Sequence, residues 1–154
     1  MSNRQRNNTT IALGSDHAGF EYKEKIKELL TSMSLPFRDF GTTSTESTDY
    51  PDYAHSVAKA VGSGEAKFGI LVCGTGIGMS IVANKHAGVR ASNVESDAAA
   101  RLAREHNDAN VLAIGARITP WETAKEIIRT FVTTQFAGGR HQRRIDKIHA
   151  LTNL

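Results

Sequence analysis

The chain has one cysteine, Cys73, placed where a continuous apolar run meets three glycines at every second position: Phe68-Gly-Ile-Leu-Val-Cys-Gly-Thr-Gly-Ile-Gly78. A thiol can serve as base or nucleophile, and thiols at the start of a helix ionise more readily than a free cysteine. Glycines at this spacing let a backbone approach a ligand closely. They also offer the amides of Gly74, Gly76, Ile77 and Gly78 to an anion. Thr75 adds a hydroxyl that either caps the next helix or holds a developing oxyanion. Burial as a small apolar residue is the commonest fate of a cysteine. The adjacent glycines favour a chemical role here.

Four further groups have chemistry to offer. Asp16 and His17 follow a short apolar strand, where ligand contact competes with a plain cap and turn. His106 lies in Arg104-Glu-His-Asn-Asp108; alone it reads as a surface histidine, but beside a cysteine base an imidazole is a candidate acid near neutral pH. Arg140 and Arg144 are four apart, so on a helix they share one face and can grip a phosphate together or form a solvated basic face. Arg117 follows the last strand and is undecided on its own. Six scattered histidines and one cysteine have no metal-ligand spacing, so neither metal nor cofactor is expected.

The elements that must position these groups alternate strand and helix. Strands are expected at residues 10–14, 37–40, 68–72, 89–94 and 111–115. Helices are expected at 20–34, 53–61, 77–86, from a cap at Ser96 through Ala103, from Pro120 through Phe131, and at 140–152. This alternation predicts an α/β fold, a five-stranded parallel sheet with helices on both faces. With strand order 2-1-3-4-5, ligands bind where the order reverses, between strands one and three. Those strands end in Asp16-His17 and in the cysteine loop, so topology and chemistry nominate the same crevice.

Length and charge narrow the partners. The 154 residues, 40% of them hydrophobic, suit one domain over residues 10–154 behind a loose polar tail at 1–9. No run approaches a membrane span or a signal peptide, and a lone cysteine fits a reducing compartment, so a cytoplasmic protein without membrane partners is expected. The net charge of +3 is concentrated near the C-terminus in Arg140-His-Gln-Arg-Arg-Ile-Asp-Lys147. So small a cluster suits one phosphate rather than a polyanion, and with 6% aromatics not interleaved with cations, nucleic acid is not expected. The G-x-G-x-G spacing is neither a dinucleotide fingerprint nor a Walker loop, although Glu95 keeps a nicotinamide enzyme as an outside alternative.

Taken together, Gly14-Ser-Asp-His-Ala-Gly-Phe20, Thr48-Asp-Tyr-Pro-Asp-Tyr53, the cysteine loop, Ala83-Asn-Lys85, Arg104-Glu-His-Asn-Asp108 and Gly138-Gly-Arg-His-Gln-Arg-Arg144 resemble type B ribose-5-phosphate isomerase. That family also includes galactose-6-phosphate isomerase subunits. The resemblance covers residues 10–150. It implies a Rossmann-like three-layer α/β/α sandwich and metal-free interconversion of ribose 5-phosphate and ribulose 5-phosphate. It also implies a homodimer, sometimes paired into a tetramer, with sites completed across the subunit interface. Cys73 matches the base, His106 the ring-opening residue, and Thr75 with the amides from Gly74 to Gly78 the enediolate-stabilising part. Asp16, Asn107, Asp49 and Tyr50 match sugar-facing positions; His17, Arg117, Arg140 and Arg144 match the phosphate grip. One branch of the family uses a glutamate after the glycine loop, a position that falls at Met79 here, so the chain resembles the cysteine branch. Two alternatives stay open: a six-carbon sugar phosphate such as allose or galactose 6-phosphate, or a non-catalytic sugar-phosphate sensor on the same fold.

Overall fold

The computed structural model describes residues 8–154. Residues 1–7 of the expected tail lie outside the described residues. Asn8 donates its side-chain amide to the carbonyls of Gly64 and Glu65, at 3.0 and 2.8 Å. The elements are β1 (Ile11–Ser15), α1 (Phe20–Ser32), β2 (Phe37–Asp39), α2 (Tyr50–Gly62), β3 (Phe68–Cys73), α3 (Ile77–Ala83), β4 (Ala91–Asn93), α4 (Asp97–Asn107), β5 (Val111–Gly115), α5 (Trp121–Thr133) and α6 (Arg140–Thr152).

All strand pairs are parallel, and the order is β2-β1-β3-β5-β4. The expected order exchanged the last two strands. The reason lies in their side chains. Val-Leu-Ala-Ile-Gly of β5 is buried along its whole length and needs a neighbour on both sides. Ala-Ser-Asn of β4 is short, polar and only half-buried, which suits a sheet edge. The reversal between β1 and β3 is unaffected.

Alternation along the strands splits the core into two layers. Ile11, Leu13, Ile70, Val72, Leu112 and Ile114 meet α1, α4 and α5 on one face. Ala12, Leu71, Cys73, Val111 and Ala113 meet α2 and α3 on the other. The candidate base is therefore part of the α2–α3 core. Two boundaries differ from expectation for visible causes. α3 ends at Ala83 rather than 86 because the next side chain, Asn84, pairs with the edge strand: Ala91 N donates to Oδ1 at 2.8 Å and Nδ2 donates to Ala91 O at 3.0 Å. β4 starts at Ala91 rather than 89 because Arg90 N donates to Asn110 Oδ1 at 2.7 Å, which bends the chain first. The Ser96 cap is present, its Oγ accepting from Ala99 N at 3.1 Å.

One buried charge ties α1 to the end of β2. Lys23 is 1% exposed and its Nζ donates to Asp39 Oδ2 at 2.7 Å. Lys27 bridges the same carboxylate and Glu24. Burial alone would raise the Asp39 carboxyl, but hydrogen bonds from Lys23, Lys27 and the Gly41 amide hold it below its ordinary value. A carboxyl depressed by folding adds stability above its unfolded value of about 3.9 and loses it as pH falls through the folded value. Lys23→Ala removes buried stem and partner together. It is expected to lower urea-unfolding stability at neutral pH by about 2 kcal/mol. That gap between wild type and variant should shrink below about pH 4 as Asp39 protonates.

Candidate active site

The pairing Ser15↔Val72 sets the carboxyl ends of β1 and β3 side by side. Asp16 N continues that ladder to Val72 O at 3.2 Å, and Asp16 Oδ1 accepts from Gly19 N at 3.1 Å, closing the turn into α1. The side chain of Asp16 is thus fixed and almost fully buried. His17 Nδ1 accepts from Thr48 N at 3.1 Å, so in the neutral ring the proton sits on Nε2. This contact clips the loop after β2 onto β1 and delivers Asp49 and Tyr50, both exposed, to the same end. Pro51 in the first turn lets α2 begin at Tyr50 rather than at 53.

Cys73 ends β3, 5% exposed, and its Sγ accepts from Gly76 N at 3.1 Å. The loop can make that contact because Gly76 has φ +80, with the Asn93 side chain and the Ile114 backbone packed where a Cβ would stand. Thr75 Oγ1 accepts from Ile77 N at 3.2 Å. The amides of Gly76 and Ile77, expected to face a ligand, therefore serve the thiol and the threonine hydroxyl inside the loop. With only seven residues, α3 adds little macrodipole, and the support at Sγ is this one local N–H. Gly78 lies against the Tyr50 ring, only 2.6 Å from where a Cβ would be, so the tyrosine roofs the loop. Arg117 completes the group. Its N donates to Gly74 O at 3.0 Å, and Ala116 N donates to Cys73 O at 2.8 Å.

Asp16, His17, Asp49, Tyr50, Cys73, the glycine loop and Arg117 thus gather at one end of the sheet. His106, Asn107, Arg140 and Arg144 do not join them. Helix α4 runs back against the strands and delivers His106 and Asn107 to the start of β5, whereas Cys73 pairs with Gly115 at its finish. The four strand steps from Val111 to Gly115 span about 13 Å. Arg104, buried, fixes that distant corner by donating to Asp108 Oδ1 at 2.8 Å, Ala109 O at 2.6 Å and Thr134 O at 3.2 Å. Ala137 N donates to Glu105 O at 3.0 Å, and Gly138 and Gly139, with φ +68 and +58, turn the chain into α6. Helix α6 buries only Ile145 and leaves Arg140 and Arg144 exposed. A cavity of about 380 Å³ also lies at this far corner, lined by Asn84, Arg90, Asn107, Ile148 and His149.

The sequence profile of the Ribose/Galactose Isomerase family matches residues 11–148. The chain belongs to that family. It is 49% identical over 141 residues to ribose-5-phosphate isomerase B of Escherichia coli, covering 92% of this chain and 95% of that protein. Among solved structures, a ribose 5-phosphate isomerase of Thermotoga maritima shares 52% identity with a TM-score of 0.88, covering 91% of this chain and 97% of the other. Ribose-5-phosphate isomerase B of Clostridium thermocellum shares 45% with a TM-score of 0.92, covering 94% and 97%.

Two contacts escaped the sequence. His141 stacks flat on His106, with ring centroids 4.3 Å apart and planes 14° from parallel. Thr48 anchors His17 across 31 residues. The Gly-Gly turn before α6 was the available signal for the first; the second is a tertiary contact with no local mark. Gly76→Ala forces a Cβ onto the Asn93 Oδ1 position, 2.7 Å away, and strains a left-handed residue. A loss of about 2 kcal/mol in urea unfolding is expected, together with lost activity as the N–H moves off Cys73 Sγ.

Proposed function

We propose that this chain is an aldose–ketose isomerase that interconverts ribose 5-phosphate and ribulose 5-phosphate through an enediolate, in the cytoplasm, without metal or cofactor. One observation carries the reading most: a core-anchored thiol at a strand end, its Sγ facing a backbone N–H, beside a fixed carboxylate and an imidazole. Membership of a sugar isomerase family and its relatives' printed names support the same reaction.

The proton alpha to an aldehyde is too weakly acidic for a thiolate unless the enediolate is stabilised as it forms. Cys73 takes the proton from C2 and returns it to C1, while the second proton passes between O2 and O1. Thr75 Oγ1 and the amides of Gly74 and Gly78 are the donors assigned to the oxyanion. Gly76 and Ile77 act one step behind, by holding the thiol and the hydroxyl. Asp16, Asp49, Tyr50 and Asn107 are assigned to the sugar hydroxyls. His17, Arg117, Arg140 and Arg144 are assigned to the phosphate, whose binding energy orients the open chain. His106 opens the furanose ring.

Because the half carrying His106, Asn107, Arg140 and Arg144 stands at the wrong end of its own sheet, a complete site needs that half from a second copy. A homodimer with two shared sites follows, and pairing into a tetramer remains compatible with it. The protein's preference for five carbons over six is tested by offering allose 6-phosphate beside ribose 5-phosphate.

Cys73→Ala should abolish isomerisation while retaining sugar-phosphate binding; turnover surviving in the variant would remove the role given to the thiol. The shared site has a sharper test. Cys73→Ala and Arg144→Ala are each expected to be inactive alone. Refolded together in equal amounts, they should regain about a quarter of wild-type activity, since half the dimers are mixed and each holds one intact site. No recovery in verified mixed dimers would place both halves within one chain.

A further inference from the structure

The stack of His141 on His106 stands outside every role assigned so far. Two backbone contacts build it. Ala137 N to Glu105 O joins the segments one residue before His106 and just ahead of α6, while His141 N donates to Gly138 O at 3.2 Å in the glycine turn. Ile145, one turn on from His141 and on the same face of α6, is that helix's single buried residue and presses the face onto the corner. With centroids 4.3 Å apart and planes 14° from parallel, the two imidazoles overlap face to face.

We propose that His141 is a positioning residue for ring opening, setting the plane of the His106 imidazole. This rests on the isomerase reading above. Two imidazolium rings in face contact repel, so a proton taken up by one opposes uptake by the other. His141 titrates below the usual imidazole value, first through partial desolvation and then through the charges of His106, Arg140 and Arg144. Its ring face, held by the glycine turn and by Ile145, is a support for His106. Opening the furanose moves one proton off the O1 hydroxyl and one onto the ring oxygen as the C1–O bond breaks and the C1 carbonyl forms. The proton count is unchanged, and a single imidazole can perform both transfers only if its plane is held.

The chemistry supplies a readout that a merely structural residue would not move. Ribose 5-phosphate is mostly a closed ring, whereas ribulose 5-phosphate cannot close a five-membered ring because its O5 carries the phosphate. Ring opening is therefore needed in one direction only. His141→Ala is expected to lower turnover of ribose 5-phosphate about tenfold or more, and turnover of ribulose 5-phosphate, with the aldose trapped as it forms, by less than about twofold. His141→Phe keeps a flat ring without a titratable nitrogen and should retain most of the forward rate. Equal losses in both directions, no loss in either, or a Phe variant as poor as the Ala variant would each overturn the assignment. Wild type inactive on both sugars would overturn the isomerase reading itself, and this inference with it.

Discussion

The pairing of β1 with β3 is the constraint on which the rest of the site depends. Their register runs from Ile11↔Phe68 to Ser15↔Val72, so both strands finish together. The chain leaves them in different directions, toward α1 on one side and α3 on the other, and the space between is lined by whatever follows each strand. Asp16 and His17 follow β1, and Cys73 is the last residue of β3. No surface loop has to find another across solvent. Five residue pairs align the two halves of that cluster before any side chain is considered.

The same parallel arrangement sets a limit. In a parallel sheet each crossover helix returns the chain to the amino ends of the strands, so a residue in the last turn of α4 is carried away from the end where β3 finishes. His106 and Asn107 occupy that turn. The buried Arg104 and the Glu105–Ala137 backbone contact then lock α6 to the same distant corner. Self-association is, on the reading proposed here, part of the chemistry.

The sequence carried much of this because the informative features were local. The buried run of β3, the glycines after it and the helical stripes of α1 and α5 are visible in short windows, and the isomerase motifs occur in order. The order of β4 and β5 was missed because strand order is decided by long-range burial. The contrast between Val-Leu-Ala-Ile-Gly and Ala-Ser-Asn was the clue. The fate of the Gly76 and Ile77 amides was missed for a different reason. Glycine spacing says a loop can approach a ligand, but only its φ values say which N–H groups turn inward. Lys23 was invisible as a core residue, since nothing local distinguishes a buried lysine from an exposed one until Asp39 arrives from β2.

Cys73 belongs to the apolar cluster shared by α2 and α3. On the role proposed for Cys73, reactivity and foldability meet in a single side chain. Met79 and Leu71, in the same cluster, are then constrained twice, once by packing and once by the aim of the sulfur. Substitutions there that preserve volume but shift the thiol by a fraction of an ångström would pass a stability screen and fail a functional one. On the role proposed for Cys73, the demands of catalysis thereby reach into the interior of this protein.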